Sequence, residues 1–286
     1  MSALLQTLIF GLATGAVISL SAVGLSLSYG VTRFINFSYG ELLTIGAYLT
    51  LVAVGLGLPL PLAAIAAMIV VGVVGVLLAR LFFDPILQRG FLALLVTSVG
   101  LAFVLQNLVR MSFGSTPARF PLPLMRPWRL GDLIVPKVPV LVIVIALVAM
   151  FGVHLLLRFT RMGKMMRATS DNAALARASG IVTARVLATT WFLSAAIAAL
   201  GGVLLGMTQL SLQPIMGWSF LLVVFAAVLL GGIGNPYGAM IGALIVGLGI
   251  ELGTAYIAPD YGYAFAFLLL VIVLLVRPSG LLKGSF

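Results

Sequence analysis

The chain has 286 residues, 63% of them hydrophobic and only 8% charged, and its mean hydropathy is +1.28. No soluble domain buries that much apolar surface, so the composition excludes a soluble enzyme and defines a polytopic membrane protein. The formal net charge of +10 does not point to nucleic acid, because the cations fall between apolar runs, where topology already accounts for them. The absence of cysteine excludes disulfides and thiol chemistry. No Lys or Arg precedes Arg33, so the basic region of a cleaved signal peptide is missing and the first apolar run is expected to stay as a span.

That first run covers about residues 4–28. Gly11, Gly15, Ser19, Ala22 and Ser26 fall on one helical stripe, where small side chains let a second helix approach. Next comes GVTRFINFSYGELLTIGAY, residues 30–48. Arg33, Asn36, Ser38, Tyr39 and Glu41 interrupt the apolar pattern here. A second run, about 42–58, follows with no real loop between. The stretch is either a tight turn or an unwound segment at membrane depth, and the latter survives only beside protein or a water-filled cavity. Arg33 is the nearest partner by sequence for the Glu41 carboxylate.

Further runs follow at about 62–83, 91–109, 140–157, 186–207, 218–230, 238–257 and 261–276. The 84–90 loop is flanked by Arg80 and Arg89, and Asp84 is expected to cap or to pair with one of them. A proline-rich outer loop, 112–139, resists helix and carries Trp128, an interface-seeking aromatic. His154 has no companions at metal-ligand spacing, so no metal site is expected and an interfacial place is. Ala195, Ala199, Gly202 and Gly206 form another small-residue seam. GGIGNPYG, residues 231–238, breaks the pattern a second time and faintly echoes Asn36–Gly40. Paired interruptions of this kind mark substrate sites in some transporters. Glu251, inside the eighth run, needs a cavity, a neighbouring subunit or headgroups, because a carboxylate facing lipid is costly.

The longest polar stretch is RFTRMGKMMRATSDNAALARASGIVTAR, residues 158–185. Ser170, Asp171 and Asn172 are N-cap residue types, 173–177 are good helix formers, and Gly180 suits a left-handed stop. A short capped helix of about two turns is therefore expected between two spans. Its cations fix topology, or the helix is a lever moved by a partner.

Three stretches resemble the LivH-type branched-chain amino-acid permeases of ABC importers. The first is Arg161, Gly163, Arg167-Ala168, Asp171-Asn172, Ala176 and Gly180-Ile181. The second is 30–48, where Ser38-Tyr39 stands in place of an expected Ala-His, and the third begins at GGIGNPYG. The resemblance implies that residues 158–185 are a cytoplasmic coupling segment docking into a groove of an ATPase subunit. It also implies a heterodimer with a second, related permease, two ATP-binding subunits, an extracytoplasmic binding protein and branched-chain or related amino-acid cargo.

Together these readings give an all-α protein of about eight or nine transmembrane helices, a single permease domain over 1–286, in the cell inner membrane with a cytoplasmic C-terminus. Coupling falls to Arg161, Gly163, Arg167, Ala168, Asp171, Asn172, Ala176 and Gly180. The translocation path falls to Asn36, Tyr39, Gly40, Glu41, Asn235 and Glu251. Gly163-Lys164 lacks the rest of a phosphate-binding loop and no other enzyme motif is present, so no cofactor is expected and ATP hydrolysis belongs to partners. An ion-coupled secondary transporter and a permease for urea or amides are the alternatives.

Overall fold

The computed structural model describes residues 2–87, 89–120, 122, 126–130, 133–258, 261–277 and 280–282. Its helices run α1 (Ser2–Thr32), α2 (Tyr39–Gly55), α3 (Leu60–Leu78), α4 (Phe91–Phe113), α5 (Lys137–Phe159), α6 (Arg161–Asp171), α7 (Ala173–Ala178), α8 (Thr183–Gln209), α9 (Met216–Gly231), α10 (Pro236–Tyr256) and α11 (Gly262–Val276). Among the described residues six helices are long and apolar enough to cross a membrane, and α2, α9 and most of α11 are shorter apolar helices. The nine apolar runs of the sequence each have a helix.

Two helices form the centre. About 72% of the most apolar stretch of α1 is buried and 67% of that of α8, against 22% for α5. α3, α4, α5 and α11 turn Leu, Val, Ile and Phe outward, which is stable only against lipid or another apolar surface. The small-residue seams explain how the centre closes. A Cβ on Gly15 would press on Leu244, one on Gly247 would fall on the Gly15 backbone, and Ser19 donates to the Met240 carbonyl at 3.2 Å. The first stripe therefore faces α10. The α8 seam faces α2 and α3 instead, with Gly202 against the Leu43 backbone and Ala195 against Gly75.

The sequence boundaries shift in four places. α2 begins at Tyr39, so the irregular stretch is only 33–38, and Tyr39, Gly40 and Glu41 are already helical. α10 likewise begins at Pro236, leaving 232–235 as the second break. The 112–139 loop contains one short antiparallel pair, β2 (Trp128–Leu130) with β3 (Leu133–Val135), and its β1 (Ala118–Arg119) pairs with β4 (Ser211–Leu212) after α8. Residues 158–171 are not open loop but hold a second helix, α6. Asp84 opens a single 3-10 turn and shares a cleft with Arg80. Pro278 and Lys283 of the basic tail lie outside the described residues.

The bundle has two distinguishable ends. At one, Ser170 of α6 meets Gly30 of α1. At the other, the β1–β4 pair ties the segments after α4 and α8, and Tyr48 donates to the Leu212 carbonyl at 3.3 Å. At about 1.5 Å per residue, the 17-residue α2 and 16-residue α9 fall short of a ~30 Å hydrocarbon core. The breaks beside them accordingly belong inside the protein rather than at its edge.

Candidate functional site

Residues 158–185, expected to form a coupling segment, are built around a corner. Thr160 caps α6, its hydroxyl accepting from the Gly163 amide at 3.1 Å. A side chain at Gly163 would collide with the carbonyls of Leu156 and Leu157, so this sharp α5–α6 corner requires glycine. Gly163, Met166, Thr169 and Ser170 bury one face of α6, while Arg161 and Lys164 stay exposed. Arg167 and Ala168 are half-buried.

α7 is closed at both ends. Asn172 Oδ1 accepts from the amides of Ala174 and Leu175, both at 3.0 Å. At the other end the Ile181 amide reaches the Ala176 carbonyl and the Gly180 amide reaches Arg177, both at 3.0 Å, with Gly180 at φ +83°. This is a Schellman closure. Of the three cap types in the sequence only Asn172 is the cap; Ser170 and Asp171 end α6. Ala176 is the buried foot of α7, and Leu175 stands 64% exposed.

Ser170 has a different role. Its hydroxyl donates to the Gly30 carbonyl at 2.6 Å, and Arg33 Nη2 donates back to the Ser170 carbonyl at 2.7 Å. Arg33 adopts φ +59°, uncommon for a residue with a side chain. This reciprocal clasp ties the α6–α7 joint to the first break. Arg33 is therefore the partner of the α6–α7 joint and not of Glu41, as sequence proximity had it.

Beyond the clasp the first break turns inward. Phe34 packs against Phe83 and Trp191, whose rings stack with centroids 5.2 Å apart. Asn36 Oδ1 accepts from the Ser38 amide (3.0 Å) and hydroxyl (2.7 Å), starting α2. The Tyr39 hydroxyl donates to the Ser21 carbonyl at 2.8 Å. Gly40 lies against Gly217, whose amide donates to Thr44 Oγ1 at 3.0 Å. Asn36 and Tyr39 are thus buried, with the Asn36 side-chain oxygen and the Tyr39 hydroxyl engaged by the protein itself. Glu41 is wholly buried, and neither carboxylate oxygen has a hydrogen-bond partner.

The second break uses Gly232 (φ +110°) and Gly234 (φ +84°), after which Asn235 caps α10 by accepting from the amides of Tyr237 and Gly238 at 3.0 and 3.1 Å. The amides of Leu281 and Leu282 close the end of α9 on the carbonyls of Leu230 and Gly231. His154 Nδ1 lies 2.8 Å from the Tyr237 hydroxyl.

Glu251 is far from both breaks in the chain's packing. It accepts from Thr14 Oγ1 at 2.7 Å and lines a cavity of about 300 Å³ between α1, α8, α9, α10 and α11. The six path candidates therefore do not form one site. Asn36, Tyr39, Gly40 and Glu41 cluster at the first break, Asn235 caps a helix, and Glu251 belongs to a cavity near the end of α8. Thr14 and Ser98, whose hydroxyl accepts from the Phe37 amide at 3.3 Å, have no part in the sequence reading, and Ser170 enters it only as a capping type. Each meets its partner across a long sequence separation, and that pairing carries no local signal.

A bundle of apolar helices with paired internal breaks, one tied to a doubly capped helix at its end, fits the class of transport permeases. The chain belongs to the family of permease components of branched-chain amino-acid transport systems, whose family model, "Branched-chain amino acid transport system / permease component", matches residues 7–274. It is 32% identical to the high-affinity branched-chain amino acid transport system permease protein LivH of Salmonella typhimurium, covering 97% of this chain and 95% of that one. It is 33% identical to the corresponding BraD of Pseudomonas aeruginosa over the same shares. A solved structure of PsaBC from Streptococcus pneumoniae in complex with Fab shares the fold at TM-score 0.51 and 14% identity, covering 98% of this chain and 93% of that one.

Proposed function

We propose that the chain is one permease subunit of an ATP-driven importer of branched-chain or related amino acids. It pairs with a second, related permease, binds two ATP-binding subunits at the α6–α7 end, and receives cargo from an extracytoplasmic binding protein at the other end. In this reading the α6–α7 end and the C-terminus are cytoplasmic. The observation that carries it is α7. A six-residue helix has little stability of its own, yet this one is capped at both ends, presents Leu175 outward and is anchored through Ala176. Such a helix suits insertion into a partner's groove, with Arg161, Gly163, Arg167, Ala168, Asp171, Asn172, Ala176 and Gly180 forming or shaping the contact.

The clasp then supplies the transmission. Displacement of α7 moves Ser170, which carries Gly30 and Arg33 with it and so reaches Asn36, Tyr39, Gly40 and Glu41. A buried carboxylate without a hydrogen-bond partner is expensive; here it is the group that gains partners when the first break rearranges to let cargo pass.

Leu175→Asp is expected to weaken co-purification of the ATP-binding subunits with a tagged chain by about tenfold or more, as for a central apolar anchor, while the chain still inserts. Undiminished co-purification would remove α7 as the docking element. Ion-gradient-driven transport by the chain alone in liposomes would overturn the importer reading altogether.

A further inference from the structure

The cavity that holds Glu251 lies at the end of the bundle away from α6 and α7. Thr208 and Gln209, the last residues of α8, are on its rim, and the β1–β4 ladder follows immediately after. Its lining divides in two. Val17, Ile18, Leu205, Phe220, Val223 and Ile250 form an aliphatic and aromatic wall, whereas Thr14, Thr208, Gln209, Glu251 and Thr254 are polar.

The polar side has a definite sign. Among the described residues no Lys, Arg or His lines the cavity, so none of them offers the Glu251 carboxylate a countercharge there, and the Thr14 hydroxyl donates to it. Thr14 donates to Glu251 and Thr208 donates to the Leu205 carbonyl at 2.9 Å. What these two oxygens retain is lone pairs, which accept. A carboxylate within a span requires a compensating partner, and an acceptor-rich site beside an apolar wall selects an organic cation. Among the described residues no three His, Cys, Asp or Glu side chains gather, so the donors for a metal ion are lacking. The volume of about 300 Å³ is at the small end of ligand sites, the size class of a single amino acid.

We propose that this cavity is an entry station for the cargo amino acid, with Glu251 and Thr14 receiving its ammonium group and the Val17–Ile250 wall its aliphatic side chain. Gln209 supplies the amide N–H groups for the cargo carboxylate. The station rests on the importer reading above. It explains why α1 and α10, otherwise joined by glycine seams, carry a hydroxyl–carboxylate pair at this one level.

The chain has no cysteine of its own, so a single introduced cysteine reports the cavity directly. In the importer reconstituted with its partner subunits, Thr254→Cys is labelled with a cationic and an anionic methanethiosulfonate reagent, with and without leucine. The cationic reagent is expected to react at least about tenfold faster, because an opposite charge at 4–6 Å commonly shifts an ionic equilibrium by a pKa unit or more. Leucine is expected to slow it, and adding Glu251→Gln to remove both the charge preference and the protection. If Thr254→Cys does not insert, Thr208→Cys gives the same readout from α8. Labelling that leucine leaves unchanged, or protects equally with Gln at 251, overturns the station. A wild-type complex that moves no leucine instead overturns the importer reading beneath it, so the two failures are distinguishable.

Discussion

The two breaks in the bundle use one local device for different ends. Each places an asparagine ahead of a helix, and each asparagine oxygen accepts two hydrogen bonds. Asn235 caps α10 on the amides of Tyr237 and Gly238, whereas Asn36 holds the amide and hydroxyl of Ser38, the residue before α2. Around them everything differs. The first break is joined by Arg33 and Gly30 to Ser170 of α6, and it leads to a carboxylate with no hydrogen-bond partner. The second is closed by the segment that follows α11, with Leu281 and Leu282 pairing to α9 and glycines on both sides of the contact. A polar interruption in a span is thus not a path residue by default. What sets the first break apart is its attachment to α6 together with Glu41 oxygens that have no hydrogen-bond partner.

The largest expected effects follow from cutting the first break loose. Arg33→Ala with Ser170→Ala removes both halves of the clasp. A hydrogen bond to a charged group contributes about 1.5–3 kcal/mol, which corresponds to roughly ten- to a hundredfold in the population of the clasped arrangement. Transport per ATP hydrolysed is expected to fall on that scale while assembly with the ATP-binding subunits persists. Glu41→Gln, inside the same break, is expected to lower transport well beyond its effect on expression. Unchanged coupling ratios in both variants would reduce the first break to packing, like the second.

A smaller effect, and of another kind, is expected at the second break. Leu281→Pro removes the N–H that meets the Leu230 carbonyl, leaving a buried acceptor unmet at a cost of about 1–3 kcal/mol. The thermal midpoint of the detergent-solubilised chain should drop, with transport per ATP hydrolysed unaltered in the molecules that remain folded. A fall in the coupling ratio without loss of stability would show that this break also moves.

What the sequence made legible was local. Nine apolar runs became nine helices because burial in lipid leaves the backbone no alternative to helix. The stop at Gly180 was readable because φ +83° favours glycine, and the small-residue stripes announced close helix approach. α6 was missed because its polar, cationic sequence hides the buried spacing of Gly163, Met166 and Ser170. Pairings such as Arg33 with Ser170 and Thr14 with Glu251 join residues 137 and 237 positions apart; no local pattern encodes them. The Glu41–Arg33 pairing failed for the complementary reason. Nearness in sequence means little where the chain reverses between two helices.

The smallest expected effect tests that local reading most closely. Asp171 and Asn172 are adjacent, both are exposed, and both are good capping types, so composition treats them alike. The structure separates them: Asn172 holds the amides of Ala174 and Leu175, whereas Asp171 is the last residue of α6 and has no part in the α7 cap. Asn172→Ala should therefore destabilise α7 by about 1 kcal/mol, the usual loss for an N-cap. An α7 loosened by that amount docks several-fold more weakly, since the ordering must then be supplied on binding. Asp171→Ala leaves the α7 cap intact and should stay within about 0.5 kcal/mol, as exposed substitutions away from caps do. The measurement is the concentration of ATP-binding subunit that half-saturates the permease in nanodiscs. Equal shifts for the two variants would mean that Asp171 contacts the partner directly, and the cap alone would no longer account for docking.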